Sequence, residues 1–220
     1  MKVTKSVKYN YTLTEEILEE DIDGFISDAR EGDYSWDYKY GSIGLRITKQ
    51  YFKILQGKFD NNELEECMQC YHKLILFLLN SSAGNDKANF GYEDLLARIS
   101  NNFDEFINNY FTCLVKTCSL EELSNRIAEY ASKLHEYGFE SDKNVLFEKL
   151  SREQLKELEQ KLLNKTRGMT KKEEDKHGIL YFLIDIAKKQ KDKDKYMQLI
   201  SKFDGILDSE EIECLVEEYE

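Results

Sequence analysis

Apolar residues return every three or four positions through most of this 220-residue chain, and there is not one proline to interrupt them. That period places apolar side chains on one face of an α-helix, and a proline inside a helix would remove a hydrogen bond and clash with the preceding turn. The missing prolines also fit a genome rich in Lys, Asn, Ile and Tyr codons. From Tyr92 the steps run through Leu95, Leu96, Ile99, Phe103, Phe106, Ile107, Tyr110, Phe111 and Leu114, which predicts a single long amphipathic helix. Similar stripes begin at Ile17, Leu64, Leu123, Ile179 and Tyr196.

Helix starts are expected where a small acceptor stands three residues before Glu or Gln, because each then satisfies a free backbone N–H of the other. The stretches are TLTE (12–15), DNNE (60–63), SLEE (119–122), SREQ (151–154), TKKE (170–173) and DSEE (208–211). Gly57, Gly138, Gly168 and Gly205 stand where helices are expected to stop. The expected fold class is all-α: roughly nine or ten helices joined mostly by short turns, hence antiparallel helical hairpins. Three regions are read along the chain: a main helical-repeat domain (1–163), a charged connector (164–177), and C-terminal hairpins (178–220) packed on the same stack.

One stretch breaks the helical period. In GDYSWDYKYGSIG (32–44), Tyr34, Trp36, Tyr38 and Tyr40 stand at every second position, as on one face of a strand. Residues 6–13 alternate too, with Val7, Tyr9, Tyr11 and Leu13 on one face, so a short extended aromatic segment is expected near 6–13 and 34–40, the two pairing as a small ribbon. The four aromatics are the candidate partner-binding residues. They are either a stacking platform for bases, sugars or a peptide, or a staple wedged between helices, and tyrosine suits both with its apolar body and polar tip.

The unit YFKILQGKFDNNELEECMQCYHKLI (51–75) has an apolar helix, a Gly–aromatic turn and a second helix, with a looser copy at 183–203 where Tyr196 would lock the turn. It resembles the unit of tetratricopeptide-like arrays, in which hairpins stack because none can bury its own apolar face. Together with AREGDYSWDYKYGSIG (29–44), it is similar to the helical region of prokaryotic SWIM zinc-finger-associated proteins, the likeness resting on Gly32, Tyr34, Trp36, Gly57 and Phe59. It covers roughly residues 29–80, with fainter echoes at 183–203 and 212–219. The resemblance implies a TPR-like α-solenoid acting as an interaction scaffold. The zinc finger itself is not implied, because the chain has no Cys-x-Cys to accompany Cys70 and His72.

Chemistry is otherwise sparse. Cys67, Cys70 and His72 fall short of the four ligands that structural zinc takes, and the two cysteines lie on an apolar stripe where free cysteine is an ordinary core residue. Residues 19–30 and 200–211 each carry half of a calcium-loop ligand set, but the first ends in Arg30 where a bidentate Glu is required. No catalytic residue, metal site or cofactor is assigned. Five cysteines imply reduced thiols and a cytoplasmic location, and no apolar run is long enough to span a bilayer. Net charge is −12, which disfavours nucleic acid and anionic membranes as partners. Residues 161–195 run the other way, with eleven Lys or Arg against six Asp or Glu. The function expected is a protein-binding helical scaffold without catalytic activity. The alternative is a nucleic-acid accessory module using the 161–195 face and Tyr34–Tyr40, and a third reading is an enzyme whose site is assembled from scattered carboxylates.

Overall fold

The computed structural model describes residues 2–6, 10–14, 17–34, 42–82, 90, 94–134, 138–170, 172, 174–217 and 219. These divide into two compact units, one of residues 1–118 and 138–149, the other of 119–137 and 150–220. Eleven α-helices lie among the described residues, preceded by one two-stranded ribbon.

The first unit begins with β1 (Lys2–Ser6) and β2 (Asn10–Thr14), antiparallel in the register Lys2↔Thr14 to Ser6↔Asn10. Of the extended segment foreseen near 6–13, residues 10–13 belong to β2 and pair with Lys2–Ser6; the other half of the expected ribbon, residues 35–40, lies outside the described residues. Thr12 and Thr14 belong to β2 and cap no helix; α1 starts at Leu18 and runs to Arg30. Then follow α2 (Ile43–Asp60), α3 (Leu64–Ser82), α4 (Leu95–Ile99), α5 (Asp104–Thr117) and, after α6 (Leu120–Ala131) in the other unit, α7 (Ser141–Lys149). Helix α1 packs on α3, α3 on α5 and α5 on α7, with α2 against α3 and α4.

The stripes read from the sequence are the buried faces. Leu18, Ile22, Phe25, Ile26 and Ala29 of α1 are buried, as are Cys67, Met68, Tyr71, Leu74, Ile75 and Leu78 of α3. Phe25 is the pivot of the first cluster, with ring centroids of Tyr34, Tyr51, Phe77 and Phe90 between 5.5 and 6.1 Å away. Gly44 makes room for one of these, since a Cβ there would run into the Phe90 ring. A second cluster joins Phe52 to Phe106 (4.4 Å) and Phe103 (5.5 Å), which reaches Phe139 (6.1 Å). Asp104 accepts hydrogen bonds from the hydroxyl and backbone N–H of Ser141, fastening the start of α7 to the start of α5.

The long helix predicted from Tyr92 is broken. Residues Ser100–Phe103 separate α4 from α5, although the apolar stripe continues in phase across them. Ser100 is extended (φ −149°, ψ 137°) and its hydroxyl accepts the Asn102 N–H at 3.1 Å, a local bond that competes with the helix ladder. Gly57 does not stop a helix either: α2 runs through it to Asp60, and the chain reverses at Asn62, whose φ is +63°. Asp60 therefore ends α2 and does not cap α3. The expected stop at Gly138 falls earlier, with α6 ending at Ala131.

The second unit contains α6, α8 (Arg152–Lys165), α9 (Glu174–Gln190), α10 (Lys193–Ile200) and α11 (Ser209–Glu217). Helices α6, α8 and α9 pack on one another, α10 on α9, and α11 on α10. The caps are as read. Ser119 accepts the Glu122 N–H; Ser151 and Gln154 form a reciprocal box, and Asp208 and Glu211 form another at 2.9 Å in both directions. Gly168 and Gly205 take the left-handed turns with φ of +69° and +72°. The TKKE box includes residues outside the described set. Gly178 lets α9 lie directly on the end of α6, where a Cβ would meet the carbonyl of Ala131.

Buried tyrosines tie helices together by their tips. The Tyr51 hydroxyl donates to the Asp21 carbonyl (3.0 Å), linking α2 to α1, and that of Tyr196 donates to the Leu215 carbonyl (2.6 Å), linking α10 to α11. Tyr71 is the exception: its hydroxyl is the one buried side-chain oxygen without a hydrogen-bond partner among the described residues. Nearby Asn109 donates instead to Gln56 Oε1 at 2.9 Å.

Tyr51→Phe and Tyr196→Phe are each expected to destabilise the protein by about 1 kcal/mol in urea unfolding, whereas Tyr71→Phe should be neutral or stabilising by up to ~1 kcal/mol, because it removes an unsatisfied group. The two helix glycines should behave oppositely as well. Gly57→Ala, into open space inside α2, should stabilise by roughly 0.5–1 kcal/mol, and Gly178→Ala should cost about 1–3 kcal/mol through its collision with α6.

Candidate functional site

Of the four candidate aromatics, Tyr34 is buried (5% exposed), at a left-handed turn with φ +62°. Its ring stacks on Phe25 at 5.5 Å and its hydroxyl donates to Asp28 Oδ2 at 3.0 Å. A side chain so placed is a staple between the end of α1 and the core, and it offers no stacking face to a ligand. Trp36, Tyr38 and Tyr40 lie outside the described residues. Tyr196, read as the lock of the 183–203 turn, is fully buried and rests against Tyr219 with centroids 4.8 Å apart.

The cysteine and histidine cluster of α3 is turned into the core. Cys67, Cys70 and Cys113 are buried, and burial pushes each thiol up to about 12, nearby carboxylates adding to the effect at Cys67 and Cys70. Cys67 Sγ faces the Leu55 carbonyl at 3.7 Å, and His72 Nδ1 is 2.6 Å from the Tyr110 hydroxyl. Among the described residues no three His, Cys, Asp or Glu side chains converge as metal ligands would. The half calcium loop at 19–30 lies almost wholly within helix α1, and the one at 200–211 ends in the Asp208–Glu211 cap.

The basic stretch of 161–195 is sorted by the fold into two kinds of cation. Several are held by partners within the second unit. Lys161 pairs with Glu121 (2.7 Å) and Glu157 (3.6 Å), and Lys165 donates to Asn125. The Glu121 hydrogen bond raises the Lys161 ammonium above its usual range, and Lys161 in turn lowers the Glu121 carboxyl. Glu159 accepts from both Gln190 Nε2 (2.7 Å) and Lys195 Nζ, pinning the α9–α10 corner onto α8.

Arg167 is different. It follows the last turn of α8 and, with Gln160, Asn164, Gly168 and Lys202, lines a cleft of about 420 Å³ into which, among the described residues, no carboxylate enters. Leu163 and Met169 form apolar parts of its wall. The turn carrying Arg167 is fastened from α9: Lys176 Nζ donates to the Arg167 carbonyl at 3.3 Å, and His177 Nε2 lies 3.1 Å from the Thr170 carbonyl. Sequence reading missed this cleft because Arg167 and Lys202 are far apart along the chain. The signal available was the basic TRGMT turn with a left-handed glycine.

A second cleft, of about 300 Å³, lies in the first unit along α2, lined by Gln50, Lys53, Ile54, Gly57, Lys58, Asn61 and Glu63. Here the cation is answered. Burial works against the Lys58 charge, but hydrogen bonds to Glu66 (2.7 Å) and Glu63 (2.9 Å) outweigh it and raise its pKa.

Comparisons of the chain with protein families, with curated proteins and with solved structures find no match.

The buried thiols give a prediction in two parts. Under native conditions a thiol reagent should modify exposed Cys214 quickly and Cys67, Cys70 and Cys113 only after unfolding. An ordinary thiol ionises near 9.0, whereas these three in the folded protein hold their protons to about 12. The unfolded chain therefore releases protons first. Their contribution to stability should be intact below pH 9 and lost as pH rises from 9 toward 12, seen as a falling urea midpoint over that window.

Proposed function

We propose that the protein is a helical scaffold that binds another protein and has no catalytic activity of its own, its hairpins stacked within each unit in the manner of a TPR-like α-solenoid. In the first unit, the succession of α1 on α3, α3 on α5 and α5 on α7 supports that arrangement. The likeness to the helical region of SWIM zinc-finger-associated proteins belongs to the same proposal, with the difference that Gly57 and Phe59 lie inside α2, before the turn.

The observation that carries the reading is α11. It is amphipathic, with Ile212, Leu215 and Val216 on one stripe, and not one of its residues is buried. Every other helix of the second unit has an apolar face sealed against a neighbour; α11 touches α10 and leaves its stripe half-covered. Apolar helix stripes of this kind gain by burial about 25 cal/mol per Å², which a partner helix or groove would supply. Within the core, polar side chains such as Tyr51, His72 and Glu159 bond to other parts of the protein, an arrangement that favours a binding surface over a reaction centre.

The test is affinity capture from a lysate of the source cell, identification of the retained protein, and titration of that protein in purified form. Wild type should retain it, and the Ile212→Asp/Val216→Asp variant should lose at least about tenfold in affinity with its circular dichroism unchanged. An empty capture, or equal binding by the variant, would sink the reading.

A further inference from the structure

We propose that the cleft at the end of α8 is a binding site for a carboxylate-rich peptide segment of a partner protein, gripped between Arg167 and Lys202. This rests on the scaffold reading and names the chemistry of one partner segment.

Among the described residues, Arg167 and Lys202 make no hydrogen bond or ion pair through their side chains and no carboxylate lines the space they share. That sets them apart from Lys161 and Lys195, which the same unit neutralises with Glu121, Glu157 and Glu159. Two cations lining one cleft without a counter-charge both attract an anionic ligand to it. An Arg fork and a Lys point charge together suit carboxylates, the Arg by two parallel hydrogen bonds.

The two jaws are held in place. Lys176 and His177, in the first turns of α9, bond to the carbonyls of Arg167 and Thr170. On the other side, Phe203 is fully buried, with the Tyr181 ring at 4.8 Å and the His177 ring at 5.9 Å, and this anchors the short 3₁₀ turn Ser201–Phe203 that carries Lys202. Both cation-bearing turns are thus anchored to α9, which limits the backbone entropy lost on binding; ordering the exposed Arg167 and Lys202 side chains is an additional cost. The carbonyls ending α8 work against an anion there, but the ammonium of Lys176, bonded to the Arg167 carbonyl in the turn that follows, adds a positive charge beside them.

A cleft of about 420 Å³ accommodates a few side chains of a peptide, within the range of small-ligand pockets. A long polyanion is disfavoured by the net charge of −12. A short acidic segment is not, because charges beyond ~8 Å are largely screened at physiological salt and the segment meets the local surplus of cations.

The experiment is fluorescence anisotropy of the full chain with a short labelled Glu-rich peptide, its Gln-for-Glu counterpart, a phosphoserine peptide of the same length and a single-stranded oligonucleotide. The Glu-rich peptide should bind at least about tenfold more tightly than the Gln one and weaken as salt rises. Arg167→Glu/Lys202→Glu should lose that preference, while Lys188→Glu/Lys191→Glu, the same change of charge elsewhere on the basic stretch, should keep it. Equal binding of the Glu and Gln peptides, equal loss in the control variant, or tighter binding of the phosphopeptide or oligonucleotide overturns the proposal. Failure of the wild-type chain to bind the Glu-rich peptide, with the protein captured through α11 still retained, overturns the cleft and leaves the scaffold reading standing.

Discussion

Sealing a tyrosine in an apolar core costs least where its hydroxyl finds a partner, and at Tyr51, Tyr110 and Tyr196, though not at Tyr71, that partner lies on another helix. Tyr51 needs the Asp21 carbonyl of α1, Tyr110 needs His72 of α3, and Tyr196 needs the Leu215 carbonyl of α11. Apolar contact is non-directional and would accept many helix registers. A hydrogen bond of 2.6 to 3.0 Å accepts few, since a shift of one residue would strand the hydroxyl at a cost of about 1–3 kcal/mol. In the first unit the aromatic clusters around Phe25 and Phe52 contribute apolar burial, and the tyrosine tips narrow the register. Tyr34 extends the same device to a turn, with its ring on Phe25 and its hydroxyl on Asp28.

This has a chemical consequence. The groups that sequence reading would nominate for reaction are engaged in holding the fold. His72 is bound to Tyr110; Cys67, Cys70 and Cys113 are protonated at any physiological pH; and Glu159 sits between Gln190 and Lys195. Among the described residues, two features of the second unit are left partly open, the half-covered stripe of α11 and the cations beside α8, and the proposed role in recognition rests on them.

How much of this was legible in the sequence follows from the range of each interaction. The helical stripes were legible because a 3.6-residue period is a local property, and the buried faces of α1, α3, α6, α9 and α10 fall on the residues it names. Capping boxes at Ser151 and Asp208 were legible for the same reason. The break at Ser100 was not, because the apolar stripe carries on unbroken and only the hydroxyl of Ser100 diverts the backbone. Gly57 misled in the opposite direction: glycine permits a stop without imposing one, and the left-handed turn was taken by Asn62. Alternation announced the strand at 10–13 but not its partner Lys2–Ser6, because a period of two says nothing of which segment lies alongside.

The cleft shows where counting charge along a chain ends. Eleven cations between residues 161 and 195 look alike in sequence, and their surplus alone would argue for a diffuse attraction to anything acidic. In three dimensions Lys161, Lys165 and Lys195 are met by groups of α6 and α8, so much of the surplus is internal to the fold. What distinguishes Arg167 is company from outside the stretch altogether: Lys202, brought opposite it by a buried phenylalanine. The site proposed for this cleft, defined by which charges remain unanswered, is a property of tertiary structure, and it would be more specific than a basic run because two cations on separate elements select for the spacing of the acids as well as their sign.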